Sequence, residues 1–140
     1  MSLTIEVHSF SYKKGGIPQD NSGNGGGFAF DCRGILNPGR QQEYCDQTGC
    51  DVGVQEFLET QTDMPQFLKL VQDLISINVE NYLSRGFEHL QVNFGCTGGQ
   101  HRSVYAADQT AAFLRNKYPQ ATVKLIHDEQ PQLCIAESGL

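Results

Sequence analysis

Apolar positions along the chain switch between a period of two and a period of three to four, and the switches mark the elements. Leu3, Ile5 and Val7 alternate with Thr4, Glu6 and His8, which predicts a strand over 3–8. Gly15-Gly16-Ile17-Pro18 breaks it, and the Gly/Asn/Ser run over 21–27 reads as a mobile loop. Phe28-Ala29-Phe30-Asp31-Cys32 reads as a short buried strand, and Asn37-Pro38-Gly39 is a turn. Residues 40–60 are polar and weakly patterned, so no element is expected there. From Asp63 to Arg85 the period lengthens: Met64, Phe67, Leu68, Val71, Leu74, Ile75, Val79 and Tyr82 form one helical face. Asp63 and Pro65 mark its start and Gly86 its end. Leu90-Gln91-Val92-Asn93-Phe94 alternates again as a strand. Val104, Ala107, Ala111, Leu114 and Tyr118 make a second helix, closed before Pro119, and 121–126 is a last strand. The tail from 128 to 140 is polar and is expected to be loosely held.

Helices between strands imply crossovers, hence an α/β fold with a mostly parallel sheet and flanking helices. Ligands in such sheets sit beyond the carboxyl ends of the strands. The loop from Gly95 to Ser103 leaves one of those ends and opens a helix.

That loop reads Gly-Cys-Thr-Gly-Gly-Gln-His-Arg-Ser. Gly98 and Gly99 give the backbone freedom to approach an anion, and the first helical amides point at it. Arg102 supplies a permanent charge with a planar fork suited to phosphate. Cys96, Thr97, Gln100, His101 and Ser103 crowd the same turn. The spacing from Cys96 to Arg102 also matches the Cys-x5-Arg signature of cysteine phosphatases, in which a thiolate attacks phosphorus. Two departures oppose catalysis. Gly95 stands where those enzymes place His, and only Asp31 or Asp128 offers itself as a general acid.

Composition narrows the rest. A chain of 140 residues fits one domain, and 19% charged residues mark it as globular. Net charge is −6, which disfavours nucleic acid as a partner. No apolar run is long enough to span a bilayer, no signal peptide is recognisable, and a cytoplasmic location is expected. Cys32, Cys45, Cys50, Cys96 and Cys134 lack the spacing of a metal site and read as ordinary reduced thiols. No cofactor and no metal are expected. Asp20 to Asp31 superficially fits a calcium loop, but its flanks read as strands and its last ligand is Asp rather than Glu. Asp31 and Arg33 share a strand-end face, and His127-Asp128 ends the last strand, so these too are candidates for a ligand crevice.

Ser9-Phe10-Ser11-Tyr12-Lys13, Gly16-Ile17-Pro18, Phe30-Asp31-Cys32-Arg33, Asn37-Pro38, Thr48-Gly49 and above all Gly95 to Val104 resemble the carboxy-terminal domain of the RapZ (YvcJ) family. The resemblance runs from about Ser9 to His127. It implies one domain over 1–140 with a core at about 9–127, similar in fold to part of phosphofructokinase. It also implies a sensor of an amino-sugar phosphate such as glucosamine-6-phosphate, belonging to an RNase adapter and nucleotide-binding protein family. By position, Cys96, Thr97, Gly98, Gly99, His101 and Arg102 would hold the phosphate, and Asp31, Arg33 and His127 become expected pocket residues. The family's nucleotide-binding domain is not in this sequence, so a fused or separate nucleotide-binding or kinase-like partner domain is implied, and a homo-oligomer stays open. Asp128-Glu129 replaces basic residues, which weakens the RNA-binding expectation. Gly39 replaces a bulkier residue, which points to altered sugar preference. Residues 21–27 are an insertion. The readings carried forward are a phosphosugar sensor, a cysteine phosphatase using Cys96 and Arg102, and an RNA-binding adapter.

Overall fold

A computed structural model of the chain describes residues 2–133. Four strands, β1 (Thr4–Ser11), β2 (Gly27–Asp31), β3 (His89–Cys96) and β4 (Thr122–His127), form one sheet in the order β2-β3-β1-β4. Every pair is parallel. The helices are α1 (Val52–Gln61), α2 (Met64–Arg85) and α3 (Arg102–Lys117). The expected α/β fold with a parallel sheet and flanking helices is therefore what forms. The register sets Ser11 beside Cys96 and Asp31 beside Gly95, so three strands end together at one edge. No helix among the described residues is long and apolar enough to cross a membrane.

The core lies between one face of the sheet and the helices. Ile5, Val7, Leu90, Val92 and Phe94 face Leu68, Val71, Ile75 and Val79 of α2 and Ala107, Ala111 and Leu114 of α3, all buried. α2 starts and stops near the expected residues. Its first amide, at Met64, bonds to Oγ1 of Thr62 at 3.1 Å, whereas Asp63 makes no side-chain cap. Gly86 takes the left-handed conformation, φ 73°, and its amide closes the helix. Leu74, expected on the apolar face, is exposed, as are Leu70 and Ile77.

Residues 40–60 depart from the expectation. Two single turns of 3-10 helix, Pro38–Arg40 and Gln42–Tyr44, precede α1. α1 buries only Val54, Phe57 and Leu58. Three apolar positions in a Gln/Glu/Thr-rich segment leave little periodic signal, and packing against α2 completes the helix.

The second face of the sheet is covered by chain rather than by helix. Residues 12–26 carry the chain from the end of β1 to the start of β2 and pass over β3. The Gln91 amide donates to the Pro18 carbonyl at 3.2 Å and to Asn93 Oδ1 at 3.0 Å. Both residues are buried although they alternate as polar positions. The run expected to be mobile is tied by Asp20, whose two oxygens accept the amides of Ser22 and Gly26 at 2.8 and 2.9 Å. Ser22 and those amides hold the Asp20 carboxyl down at about 2. Asp20 thus spends its oxygens on backbone donors rather than on a cation cage. The start of the tail is tied to β1, with the Asp128 amide on the Ser9 carbonyl at 2.9 Å. The rest of the expected tail, including Cys134, lies outside the described residues.

Candidate functional site

β3 delivers Cys96 to the sheet edge, residues 97–101 turn, and α3 begins at Arg102. Of the two adjacent glycines only Gly99 has positive φ, at 67°. Gly98 has an ordinary φ, and a Cβ there would meet nothing within 4 Å. One glycine thus makes the turn and the other leaves room in front of it. Gly95 is fixed by packing, because a side chain would strike the rings of Phe10 and Tyr12. The position that holds His in cysteine phosphatases is closed here.

A cavity of about 250 Å³ opens over the turn, lined by Asn37, Gly39, Cys45 and Cys96 together with Thr97, Gly98, Gln100, His101 and Arg102. It lies below the usual ~300–1,000 Å³ of drug-sized sites, so it suits a small polar ligand. Among the described residues no Asp or Glu lines it.

Arg102 dominates its electrostatics. The side chain is 5% exposed. Nη1 donates to the carbonyls of Arg33 and Ile35 at 3.1 and 2.8 Å. Among the described residues Nη2 reaches only the Thr97 hydroxyl, at a long 3.4 Å. Nε is buried and has no acceptor among the described residues. No carboxylate pairs with this guanidinium among the described residues, so a buried positive charge faces the cavity with unused donors. Such a charge is costly unless an anion joins it.

Cys96 is 2% exposed, with Sγ 3.1 Å from Oγ of Ser103. Burial pushes the thiol up, but hydrogen bonds from Ser103 and the Gly99 amide, with the Arg102 charge, bring it below its ordinary value. Ser103 is fully buried and acts on Cys96 rather than on the cavity. The His101 ring lines the cavity, and its Nε2 bonds to the Tyr44 carbonyl at 2.8 Å. A carbonyl only accepts, so Nε2 carries the proton. Burial holds this imidazole below its ordinary value and hence neutral near pH 7, leaving Nδ1 as an acceptor. Gln100 donates its amide to the carbonyls of Cys45 and Gln47 at 2.8 and 2.7 Å. It therefore fixes the opposite wall.

The remaining sequence candidates lie elsewhere. Asp31 and Arg33 form a closed bidentate pair at 2.8–2.9 Å, with Arg33 stacked on Tyr12 at 3.9 Å. Only the backbone carbonyl of Arg33 reaches the site, through Arg102. His127 ends β4, across β1 from β3, and its Nδ1 bonds to Ser9 Oγ at 2.7 Å. None of the three lines the cavity. Asn37, Cys45 and Tyr44 were not singled out from the sequence as site residues. The Asn37-Pro38 turn and the Thr48-Gly49 pair were their visible signals. Gly49 packs so closely on α3 that a Cβ would strike the His101 carbonyl and the Tyr105 amide, and its own amide bonds to the Gln100 carbonyl at 3.0 Å.

Comparison with known proteins gives a consistent picture. A profile described as the RapZ C-terminal domain matches residues 3–131. A nucleotide-binding protein of Endomicrobium trichonymphae is 35% identical over 125 residues, 89% of this chain and 41% of the relative. A nucleotide-binding protein of Fervidobacterium nodosum is 34% identical over 123 residues, 88% and 42% of the two chains. One from Xanthomonas axonopodis pv. citri is 33% identical over 129 residues, 91% and 43%. The chain thus spans about two fifths of the length of these relatives.

Proposed function

Since the chain belongs to the RapZ C-terminal domain family, we propose that its Cys96–Ser103 turn is a receptor for the phosphate of a small metabolite, an amino-sugar phosphate such as glucosamine-6-phosphate. The domain then acts as a regulatory sensor, binding without turnover. The observation that carries this reading is Arg102, buried, unpaired by any described carboxylate and holding an Nε donor without a described acceptor. A phosphate monoester supplies the missing charge and acceptors. The amides of the turn and the first turn of α3 add donors and a favourable dipole. Gln100 and Gly49 position the walls. Asn37, and the Nδ1 lone pair of His101, are the polar groups that would select hydroxyl or amino substituents on the ligand.

The experiment is calorimetric titration of the chain with glucosamine-6-phosphate, glucose-6-phosphate, glucosamine and inorganic phosphate. Saturable binding of the phosphorylated sugars, absent with glucosamine and lost in Arg102→Ala, is expected. Equal binding to Arg102→Ala overturns the assignment.

A second reading, phosphatase, is favoured by the lowered Cys96 thiol at Cys-x5-Arg spacing. Against it, no carboxyl group of the described residues lines the cavity to protonate a leaving group. Asp31 is engaged by Arg33 and Asp128 by His8. Hydrolysis of an aryl phosphate that Cys96→Ser abolishes would favour it. The relatives' nucleotide-binding names enter only as a proposal that this domain reports to a nucleotide-binding partner unit. RNA binding has no support from the net charge of −6.

A further inference from the structure

A second cluster of chemically active groups lies away from the phosphate cavity. Cys50 in the loop before α1, Asp108 on α3 and His127 at the end of β4 each offer a donor atom, and the three atoms lie within 4.8 Å of one another. The residues are distant in sequence, so no ligand spacing reveals them, and the fold alone brings them together. We propose that Cys50, Asp108 and His127 form a binding site for a divalent transition-metal ion of the zinc class.

The donor set chooses the ion. A thiolate, an imidazole and a carboxylate are the three ligand types of protein zinc sites, whereas calcium and magnesium take oxygen. Zinc–ligand bonds of 2.0–2.3 Å in a tetrahedron put donor atoms about 3.3–3.6 Å apart. The donor atoms, within 4.8 Å of one another, therefore close by up to about 1.5 Å on an ion, a change that rotation of the exposed Cys50 side chain can absorb. The three ligands among the described residues leave a fourth tetrahedral position for a further donor such as water.

Ser9 supports this assignment independently. Metal-bound histidines commonly hold their second ring nitrogen on a fixed partner, which sets tautomer and orientation. His127 Nδ1 sits 2.7 Å from Ser9 Oγ on the paired strand, so Nε2 is the nitrogen it offers to an ion. The ring is fully buried, so packing as well as Ser9 fixes its orientation. Exposure of Cys50 gives the ion its route in.

The bound ion would fasten the loop that walls the phosphate cavity. Residues 45–51 carry the carbonyls that hold Gln100 and the amide of Gly49 that holds the Gln100 carbonyl. Tying Cys50 to α3 and β4 would restrain that wall from behind.

The test is cobalt(II) titration of the reduced, metal-free chain followed by absorption, then displacement by zinc in competition with a chromophoric chelator. One equivalent of cobalt with thiolate charge-transfer and tetrahedral ligand-field bands is expected, displaced by one equivalent of zinc. Cys50→Ser should remove the charge-transfer band and weaken zinc at least about tenfold, and Asp108→Asn should weaken it comparably. Cys45→Ser and Cys96→Ser should leave both unchanged. Cys50 is exposed, so its variant keeps the fold, which circular dichroism checks. Substoichiometric or non-saturating binding overturns the proposal. So does a signal that follows Cys45 or Cys96 instead, or zinc affinity unchanged in both Cys50→Ser and Asp108→Asn.

Discussion

The Cys96 thiol sits 3.1 Å from the Ser103 hydroxyl, two buried groups joined across the turn from β3 into α3. Cys96 also belongs to the buried core cluster, and the pair places a lowered thiol in the lining of the cavity. Its state is measurable. Alkylation of Cys96 by iodoacetamide, followed by mass spectrometry, should show a pH midpoint below that of an ordinary thiol. In Ser103→Ala the midpoint should rise, with a stability loss of about 0.5–1.5 kcal/mol for the lost hydrogen bond. Saturating glucosamine-6-phosphate should slow the reaction by covering Sγ. A midpoint that ignores Ser103 would remove that residue as a cause.

Arg102 gives the largest expected effect on binding. Loss of a desolvated charge partner costs about 2–5 kcal/mol of affinity. Arg102→Ala should therefore weaken phosphosugar binding by at least about thirtyfold, using 1.4 kcal/mol per decade. Arg102→Lys should recover charge but not the fork, because one ammonium cannot serve the Arg33 and Ile35 carbonyls and the ligand together. Calorimetry with both variants separates charge from geometry. Equal recovery by Lys would reduce Arg102 to a point charge.

Much of this was legible in the sequence. The pattern of apolar positions located all four strands and both long helices, most sharply β1, β3 and α3, which bury most of their residues, whereas β2, expected to be buried, is an edge strand with no buried residue. The nine-residue loop was visible because Gly, Cys, His, Arg and Ser rarely crowd one turn without a ligand to hold. Three things were not legible. α1 has only Val54, Phe57 and Leu58 to bury, too few for a periodic signal. Gln91 and Asn93 alternate as polar positions yet are buried, because an irregular segment covers them through Pro18. Asp31 and Arg33 share a strand-end face as expected, but they satisfy each other, and the chain uses the Arg33 carbonyl instead of its charge. Side-chain type shows along a sequence, whereas backbone acceptors such as Tyr44 and Cys45 do not.

Two glycines near the site should respond oppositely to alanine. Gly49 faces backbone, the His101 carbonyl and the Tyr105 amide, neither of which can turn aside. Gly49→Ala should cost about 1–3 kcal/mol of stability by overpacking and should weaken the ligand by displacing the cavity wall. At Gly98 a Cβ meets nothing within 4 Å, and φ is not in the positive range. Gly98→Ala should hold stability within about 0.5 kcal/mol. Since Gly98 lines the cavity, its methyl group should still lower affinity for the phosphosugar. Urea melts and calorimetry on the two variants give four readings. Loss of affinity in Gly49→Ala without loss of stability would contradict the packing argument.

Acid sensitivity should come from His127 and not from His8. Burial drives the His127 imidazole from 6.5 to about 4, against the pull of Asp128 and with some help from His8. A depressed folded value means that its stabilisation is complete above 6.5 and is lost as pH falls towards 4. By linkage the difference is about 3 kcal/mol in metal-free protein. His8 runs the other way. Burial lowers it, but hydrogen bonds to Asp128 and Glu6 at 2.8 and 2.6 Å outweigh burial and leave it raised. Its stabilisation is complete below 6.5 and fades as pH climbs through the raised value. Urea unfolding of the metal-free chain should therefore show stability falling between pH 6.5 and 4. In an imidazole NMR titration, His127 should stay neutral down to about pH 4 while His8 should still be protonated above 6.5. A His127 resonance that titrates near 6.5 would break the link between its burial and the acid edge.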